Sequence, residues 1–358
     1  MLAGRVMTTC WIALATALGV SLAAVPWHAP VLRRVGLPDI PHPIGNPLAD
    51  AKVALGRALF FDPVLSRDST MACATCHDPE HGFADPRGFS RGVDGNVLNR
   101  DTPTVANLAF TRALFRDGRS GSLEEQALEP LLAKAEMASD PTVLVATLAN
   151  NAEYRQLFEH AFGDGEVTLV RIARALATYE RTLMVRDTAY DRWAAGDGTA
   201  LSAAQQRGLA LFEGKARCAE CHPAPLFGSD DLDPVGTPDR ASDGKLVRGS
   251  DPGLARWTAQ AAHHGAFRSP SLRGVADTAP YMHNGVYRTL EEVIEFYDEG
   301  GGRGLGFEAP QDEDVKPLQL TEQDEADLVA FMRALSAPAP LDRRPPRVPS
   351  GLVPGGTR

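Results

Sequence analysis

Two five-residue stretches carry the chemistry of this sequence: Cys73-Ala-Thr-Cys76-His77 and Cys218-Ala-Glu-Cys221-His222. In each, two thiols stand one helical turn apart and an imidazole follows at once. This is C-x-x-C-H, the attachment pattern of c-type haem: the cysteines reach the porphyrin vinyl groups and the histidine is the proximal iron ligand. A redox C-x-x-C pair or half of a zinc site competes for a single copy. Two copies and no spare cysteine argue against both, since the fifth cysteine of the chain, Cys10, lies in an N-terminal apolar segment. Cys73, Cys76 and His77 are assigned to haem 1, and Cys218, Cys221 and His222 to haem 2. The opposite face of each iron needs a Met, His, Tyr or Lys. An empty face marks a haem that does chemistry.

The elements around the two motifs repeat. Gly56-Arg-Ala-Leu-Phe60 precedes the first and Gly208-Leu-Ala-Leu-Phe212 the second, and each half closes on an amphipathic helix, with Tyr179 and Phe331 in register. Apolar periodicity predicts helices over 48–60, 123–132, 141–148, 169–183, 202–212, 290–297 and 321–335, with Ser122, Ser202 and Thr321 as start signals. Strand-like alternation is scarce. The expectation is an all-α chain of two helical domains, 40–195 and 200–337, each carrying one covalent haem, with long ordered loops over 79–105 and 223–270. The Pro-rich stretch 338–358 reads as a disordered tail.

After Arg5, residues 6–25 carry no charge and end in small residues (Ser21, Ala23, Ala24), which reads as an export signal over residues 1–25. We favour a cleaved signal. A retained membrane anchor is the alternative, since about 20 apolar residues suffice to span a bilayer. Either way the remainder is exported, to the periplasm. The formal net charge of −10 leaves no electrostatic footprint for nucleic acid and suits a partner with a basic patch.

From about residue 45 to 336 the chain resembles the bacterial dihaem cytochrome c peroxidase superfamily. The stretches that carry the resemblance are "ALGRALFFDPVLS", "CATCH", "TPTVAN", "DGRSGSLEEQALEPL", "GLALFEGKARCAECH", "FRSPSLRGVADTAPYMHNG" and "TLEEVIEFYDEGG". The resemblance implies two cytochrome c-like domains, with a peroxidatic haem 1 and an electron-transfer haem 2. Periodicity alone makes Tyr297 a core residue of its helix. The peroxidases, however, place a Met ligand of haem 2 at this offset from the histidine matched by His283, and a Tyr there is the pattern of the MauG branch. The resemblance therefore implies His222/Tyr297 ligation of haem 2, with an anionic phenolate lowering its potential. Peroxidases that need reductive activation block haem 1 with a His in the loop matched by residues 88–104. Here no His occurs between His81 and His160, and Val93 stands near that ligand's place. Haem 1 should be open to peroxide.

By themselves Gln126, Pro130 and Glu136 would pass as a solvated helix and its end. The resemblance places them on the distal side of haem 1, with Glu136 as general acid/base, Gln126 binding peroxide or water, and Pro130 shaping the pocket. It also implies a calcium ion between the domains, held by Asp101 in place of the family's Asn and by the carbonyls of Thr278 and Pro280. Two departures stand out. Arg116 replaces the Trp that lies between the haems, and Phe115 beside it is hard to oxidise. Ala216 replaces a surface Trp of the methylamine maturase. Three functions follow: a cytochrome c peroxidase reducing hydrogen peroxide with electrons from a small cytochrome c or cupredoxin; a MauG-like enzyme oxidising side chains of a partner protein; and a dihaem electron carrier. Glu136, Gln126 and the absent blocking His speak against the carrier, and Arg116 and Ala216 weaken the MauG-like reading. The expectation is a dihaem peroxidase.

Overall fold

The computed structural model describes residues 36–338, 341 and 343–356, so the export segment at 1–25 lies outside the described residues. Helices α1 (Asp50–Phe61), α2 (Leu123–Leu132), α3 (Pro141–Asn150), α4 (Ala152–Phe162) and α5 (Leu169–Thr182) surround the first motif; α6 (Ala189–Ala194), α7 (Ala203–Glu213), α8 (Leu290–Asp298) and α9 (Glu322–Arg333) surround the second. Each set closes on its own apolar core. Leu55, Phe60, Phe61, Tyr154, Phe158 and Ile172 lie in the first, and Tyr190, Phe212, Phe227, Leu328 and Phe331 in the second. The protein is therefore all-α in the main, with two helical domains. Its short strands are confined to the loop after the second motif, where Leu232–Pro234 pairs antiparallel with Ala266–Arg268.

One joint is built twice. α1 crosses α5 at Gly56, where a Cβ would stand 2.0 Å from the Ala175 carbonyl oxygen and 2.8 Å from Tyr179 Cβ. α7 crosses α9 at Gly208, where a Cβ would stand 2.0 Å from the Asp327 carbonyl oxygen and 2.8 Å from Phe331 Cβ. Backbone meets backbone at both crossings, and only glycine permits it. Beside each glycine an aromatic pair locks the crossing edge to face: Phe60 with Tyr179 at 5.3 Å and Phe212 with Phe331 at 5.3 Å.

The expected helix starts are present. Ser122, Ser202 and Thr321 each accept a bond from a first-turn amide. Two helices went unpredicted. α4 is capped by Asn151, which accepts from the amides of Glu153 and Tyr154, and α6 by a Thr188–Asp191 capping box.

The stretch read as a disordered tail needs correcting. Residues 343–356 return from the second domain to the first. Val348 is buried in the first core. Ser350 Oγ donates to Asp62 at 2.6 Å, Asn151 donates to the Pro349 carbonyl at 3.1 Å, and the Gly355 amide donates to Phe61 at 2.7 Å. Proline fixes the backbone cheaply while leaving carbonyls to accept, so a Pro-rich segment loses little entropy when it docks along helices.

Candidate active site: two cavities and the wall between them

Each motif positions its imidazole in the same way. The His77 amide bonds the Cys73 carbonyl at 2.9 Å and the His222 amide bonds that of Cys218 at 2.9 Å. His77 Nδ1 donates to the carbonyls of Pro103 (3.0 Å) and Phe83 (3.3 Å), and His222 Nδ1 to those of Pro270 (3.0 Å) and Phe227 (3.2 Å). Phe83 and Phe227 both adopt left-handed backbone, with φ of 61° and 54°, an unusual conformation for a bulky residue that turns each carbonyl onto its ring. With the proton fixed on Nδ1, Nε2 keeps its lone pair for a metal. Burial lowers both imidazoles, His222 to about 4, so each stays neutral.

The four cysteines of the motifs form no disulfide. Burial pushes Cys76 up to about 11 and Cys218 and Cys221 up to about 12, and Cys73 higher still. Redox-active cysteines need the opposite, a stabilised thiolate. No cluster of three or more His, Cys, Asp or Glu suited to a metal occurs among the described residues. Thiols held neutral beside a ligand-ready imidazole fit thioether attachment of haem.

Cavity 1, about 390 Å³, is lined by Cys73, Cys76 and His77 together with Gln126, Pro130 and Glu136. Pro130 sits inside α2 and has no N–H to give the Gln126 carbonyl, which weakens the last turn. The helix ends at Leu132 and the chain folds under it, with the Met137 amide on the Pro130 carbonyl at 3.2 Å. That turn carries Glu136 to the cavity. The opposing loop is clamped there: the Val93 amide donates to the Glu136 carbonyl at 2.8 Å. A Cβ on Gly92 would fall 1.8 Å from the Ala135 carbonyl oxygen. Gly92, not Val93, lines the cavity; Val93 is packed away behind it. Among the described lining residues His77 is the only histidine. Burial raises the Glu136 carboxyl above its ordinary range, against the pull of Arg119.

Two groups of this cavity went unread. Glu180, one residue beyond Tyr179, lines it with a carboxylate oxygen that has no partner among the described residues, and burial pushes it up to about 8. A charge on the buried face of an amphipathic helix was the available signal. Trp257 reaches the cavity from the 223–270 loop, its indole N–H on Asp117 at 3.0 Å, and Asp117 also pairs with Arg100 and Arg119.

Cavity 2, about 270 Å³, gathers Cys218, Cys221, His222 and Tyr297 among apolar Phe212, Leu272, Ile294, Leu328 and Met332. Burial raises the Tyr297 phenol. Asp101, Thr278 and Pro280 also line it. Five residues line both cavities and so form the wall between them: Asp101, Pro103, Thr104, Arg116 and Arg268. Arg268 Nε is buried without a partner among the described residues. A carboxylate-edged group in either cavity, such as haem, would meet it.

The proposed calcium donors fit the ion poorly. Asp101 Oδ1 is buried and unpartnered, as a ligand oxygen would be. Yet Arg116 Nη2 donates to Asp101 Oδ2, and Arg116 Nε donates to the Asp101 carbonyl at 3.2 Å. A dication on this carboxylate would face a guanidinium at close quarters. Like charges about 4 Å apart repel by about 4 kcal/mol per unit pair at an effective dielectric constant near 20, and a dication doubles that.

Comparison with known proteins matches this geometry. A family model described as di-haem cytochrome c peroxidase covers residues 50–199, and one for cytochrome c covers residues 205–336. The methylamine utilization protein MauG of Methylorubrum extorquens is 42% identical over 84% of this chain and 82% of its own length. A cytochrome-c peroxidase of Pseudomonas sp. (strain SCT) is 38% identical over 95% and 94%. Among solved structures, a MauG-like protein associated with microbial copper homeostasis superposes with a TM-score of 0.76 at 32% identity, over 87% of this chain and 95% of that one.

Proposed function

Because the chain belongs to the di-haem cytochrome c peroxidase and MauG family, and is thus an oxidoreductase with two c-type haems, we propose that it reduces hydrogen peroxide at cavity 1 with electrons delivered through cavity 2. The observation that carries this reading is the meeting of Gln126 and Glu136 with His77 in a cavity that holds no second histidine among the described lining residues. When bound, the haems supply the iron that peroxide meets and a store for electrons. The rest is done by side chains. His77 and His222 present Nε2, each fixed by two carbonyls. Glu136, with its raised carboxyl, takes the first proton of peroxide and returns it to the departing oxygen. Gln126 orients the oxygen pair by hydrogen bonding. Exported through residues 1–25, the protein works in the periplasm, where a small cytochrome c or cupredoxin supplies the electrons. No helix of the described residues is long and apolar enough to cross a membrane.

The test is spectroscopic. The ferric protein is expected to show one high-spin and one low-spin haem, to bind one equivalent of cyanide without prior reduction, and to consume peroxide with a reduced cytochrome or cupredoxin. Two low-spin haems that bind ligand only after half-reduction would refute the open cavity 1.

Tyr297 favours a second reading, in which peroxide-derived oxidising equivalents are shared between the haems and spent on a partner protein's side chain. The phenol lines cavity 2 with His222, and burial would keep it protonated unless a strong cation stood opposite. Tyr297→Met should raise the haem 2 potential, since a neutral ligand favours ferrous iron. An unchanged potential and spectrum would make Tyr297 a core residue only.

A further inference from the structure

We infer that Arg116 is the built-in cation of the site between the two domains, so that this protein holds its domains without calcium. Two sequence departures that seem unrelated, Asp for Asn at 101 and Arg for Trp at 116, are one substitution in space. The first adds a negative charge to a buried position and the second adds a positive charge beside it. Asp101 is buried, and Arg116 grips it twice, through Oδ2 and through its backbone carbonyl. The neighbourhood is tied across the domains: the Asp101 amide donates to the His283 carbonyl at 2.7 Å, and the Arg268 amide to the Arg116 carbonyl at 2.8 Å. A loop of the first domain and the 267–283 segment of the second therefore meet at this pair.

Calcium would do the same work through oxygen ligands drawn from both sides. A guanidinium does it with directed N–H donors, always charged and never lost to a chelator. Its place also matters. Arg116, Arg268 and Asp101 put two guanidinium groups and one carboxylate in a wall shared by both cavities. The wall is left with a fixed positive excess, where the family's pattern has a neutral aromatic ring. Negatively charged groups at the edge of either cavity would settle against it, and a positive hole crossing the wall would be repelled.

The test uses the holoprotein with both haems attached. After gel filtration from buffer containing millimolar calcium, the wild type should carry well under one equivalent by elemental analysis. Its Tm and ferric spectrum should not move with EGTA. Arg116→Gln uncovers Asp101 and should bind one calcium per chain at least 100-fold more tightly than the wild type by calorimetry, with a Tm that EGTA lowers and calcium restores. Asp101→Asn together with Arg116→Gln removes both charges and should recover most of the wild-type Tm with EGTA present. A stoichiometric calcium in the wild type whose removal shifts the spectrum would overturn the inference. So would an R116Q protein that gains no calcium affinity. If R116Q does not fold, the double variant decides: recovery supports the pair as a mutually dependent unit, and failure to recover overturns it.

Discussion

The two domains share a skeleton and differ in what they point into their cavities. Gly56 and Gly208, Tyr179 and Phe331, Phe83 and Phe227, and the paired carbonyls on His77 and His222 superpose role for role. The divergence begins one residue away. Glu180 follows Tyr179 and lines cavity 1; Met332 follows Phe331 and lines cavity 2. Cavity 1 adds Gln126, Glu136 and Arg119 from α2 and the segments flanking it, while cavity 2 answers His222 with Tyr297. The glycines that join helices leave no room for a Cβ, which would fall 2.0–2.8 Å from the opposite helix, and cannot drift. Their neighbours line the cavities, where a change of chemistry costs the helix joints little.

The sharpest way to test this division is to neutralise Glu136 alone among the carboxylates of cavity 1. Glu136→Gln should slow peroxide turnover by roughly 10²–10⁴-fold, the usual worth of a general acid/base, and leave the haem 2 spectrum untouched. Because burial raises this carboxyl, the peroxide reaction of the wild type should quicken with pH as Glu136 ionises, in a limb above the ordinary glutamate value of about 4.3. The variant should lack that limb. Unaltered turnover would remove Glu136 from the chemistry and with it the contrast between the cavities.

Gly56→Ala and Gly208→Ala probe the shared skeleton. Each forces a methyl into a carbonyl, and each should cost about 1–3 kcal/mol or more in urea denaturation, by similar amounts. If one is tolerated and the other is not, the two joints are not equivalent.

A third comparison belongs to Glu180, whose effect is read as a slope with pH. Its folded value of about 8 lies above the unfolded value of about 4.3. Between those values the folded state binds the extra proton, so its contribution to stability is complete below about 4.3 and is lost as pH rises towards 8. Glu180→Gln should flatten the fall in Tm from pH 5 to 8. Parallel curves for the two proteins would show that the carboxyl does not titrate in the fold.

Much of this was legible because the haem motif is local. Cys-x-x-Cys-His fixes its own geometry within one turn, and the repeated Gly-x-x-Leu-Phe segments announced the duplication. The resemblance grouped Gln126, Pro130 and Glu136 with His77 and Tyr297 with His222, and each group lines one cavity. α4 was readable from Asn151 and the spacing of Tyr154, Leu157, Phe158 and Ala161, but a neighbouring helix masked its start. The Asp101–Arg116 pair was not legible: each residue was weighed against its own family position, and nothing in the spacing says that a carboxylate and a guanidinium 15 residues apart meet. Proline content misled at 343–356, because composition reports stiffness and not what a stiff segment lies on.

That returning segment sets an order of assembly. Thr75, inside the first haem motif, donates to the Gly355 carbonyl at 2.6 Å across 280 residues, and Gly356 bridges to Met71 beside it. Residues 343–356 are synthesised after the whole second domain. The first domain, though made first, therefore acquires these contacts last, and its haem-bearing turn stays loosely tied until the second domain has left the ribosome. A fusion partner attached near Gly356 would press on the cavity furthest from it in sequence.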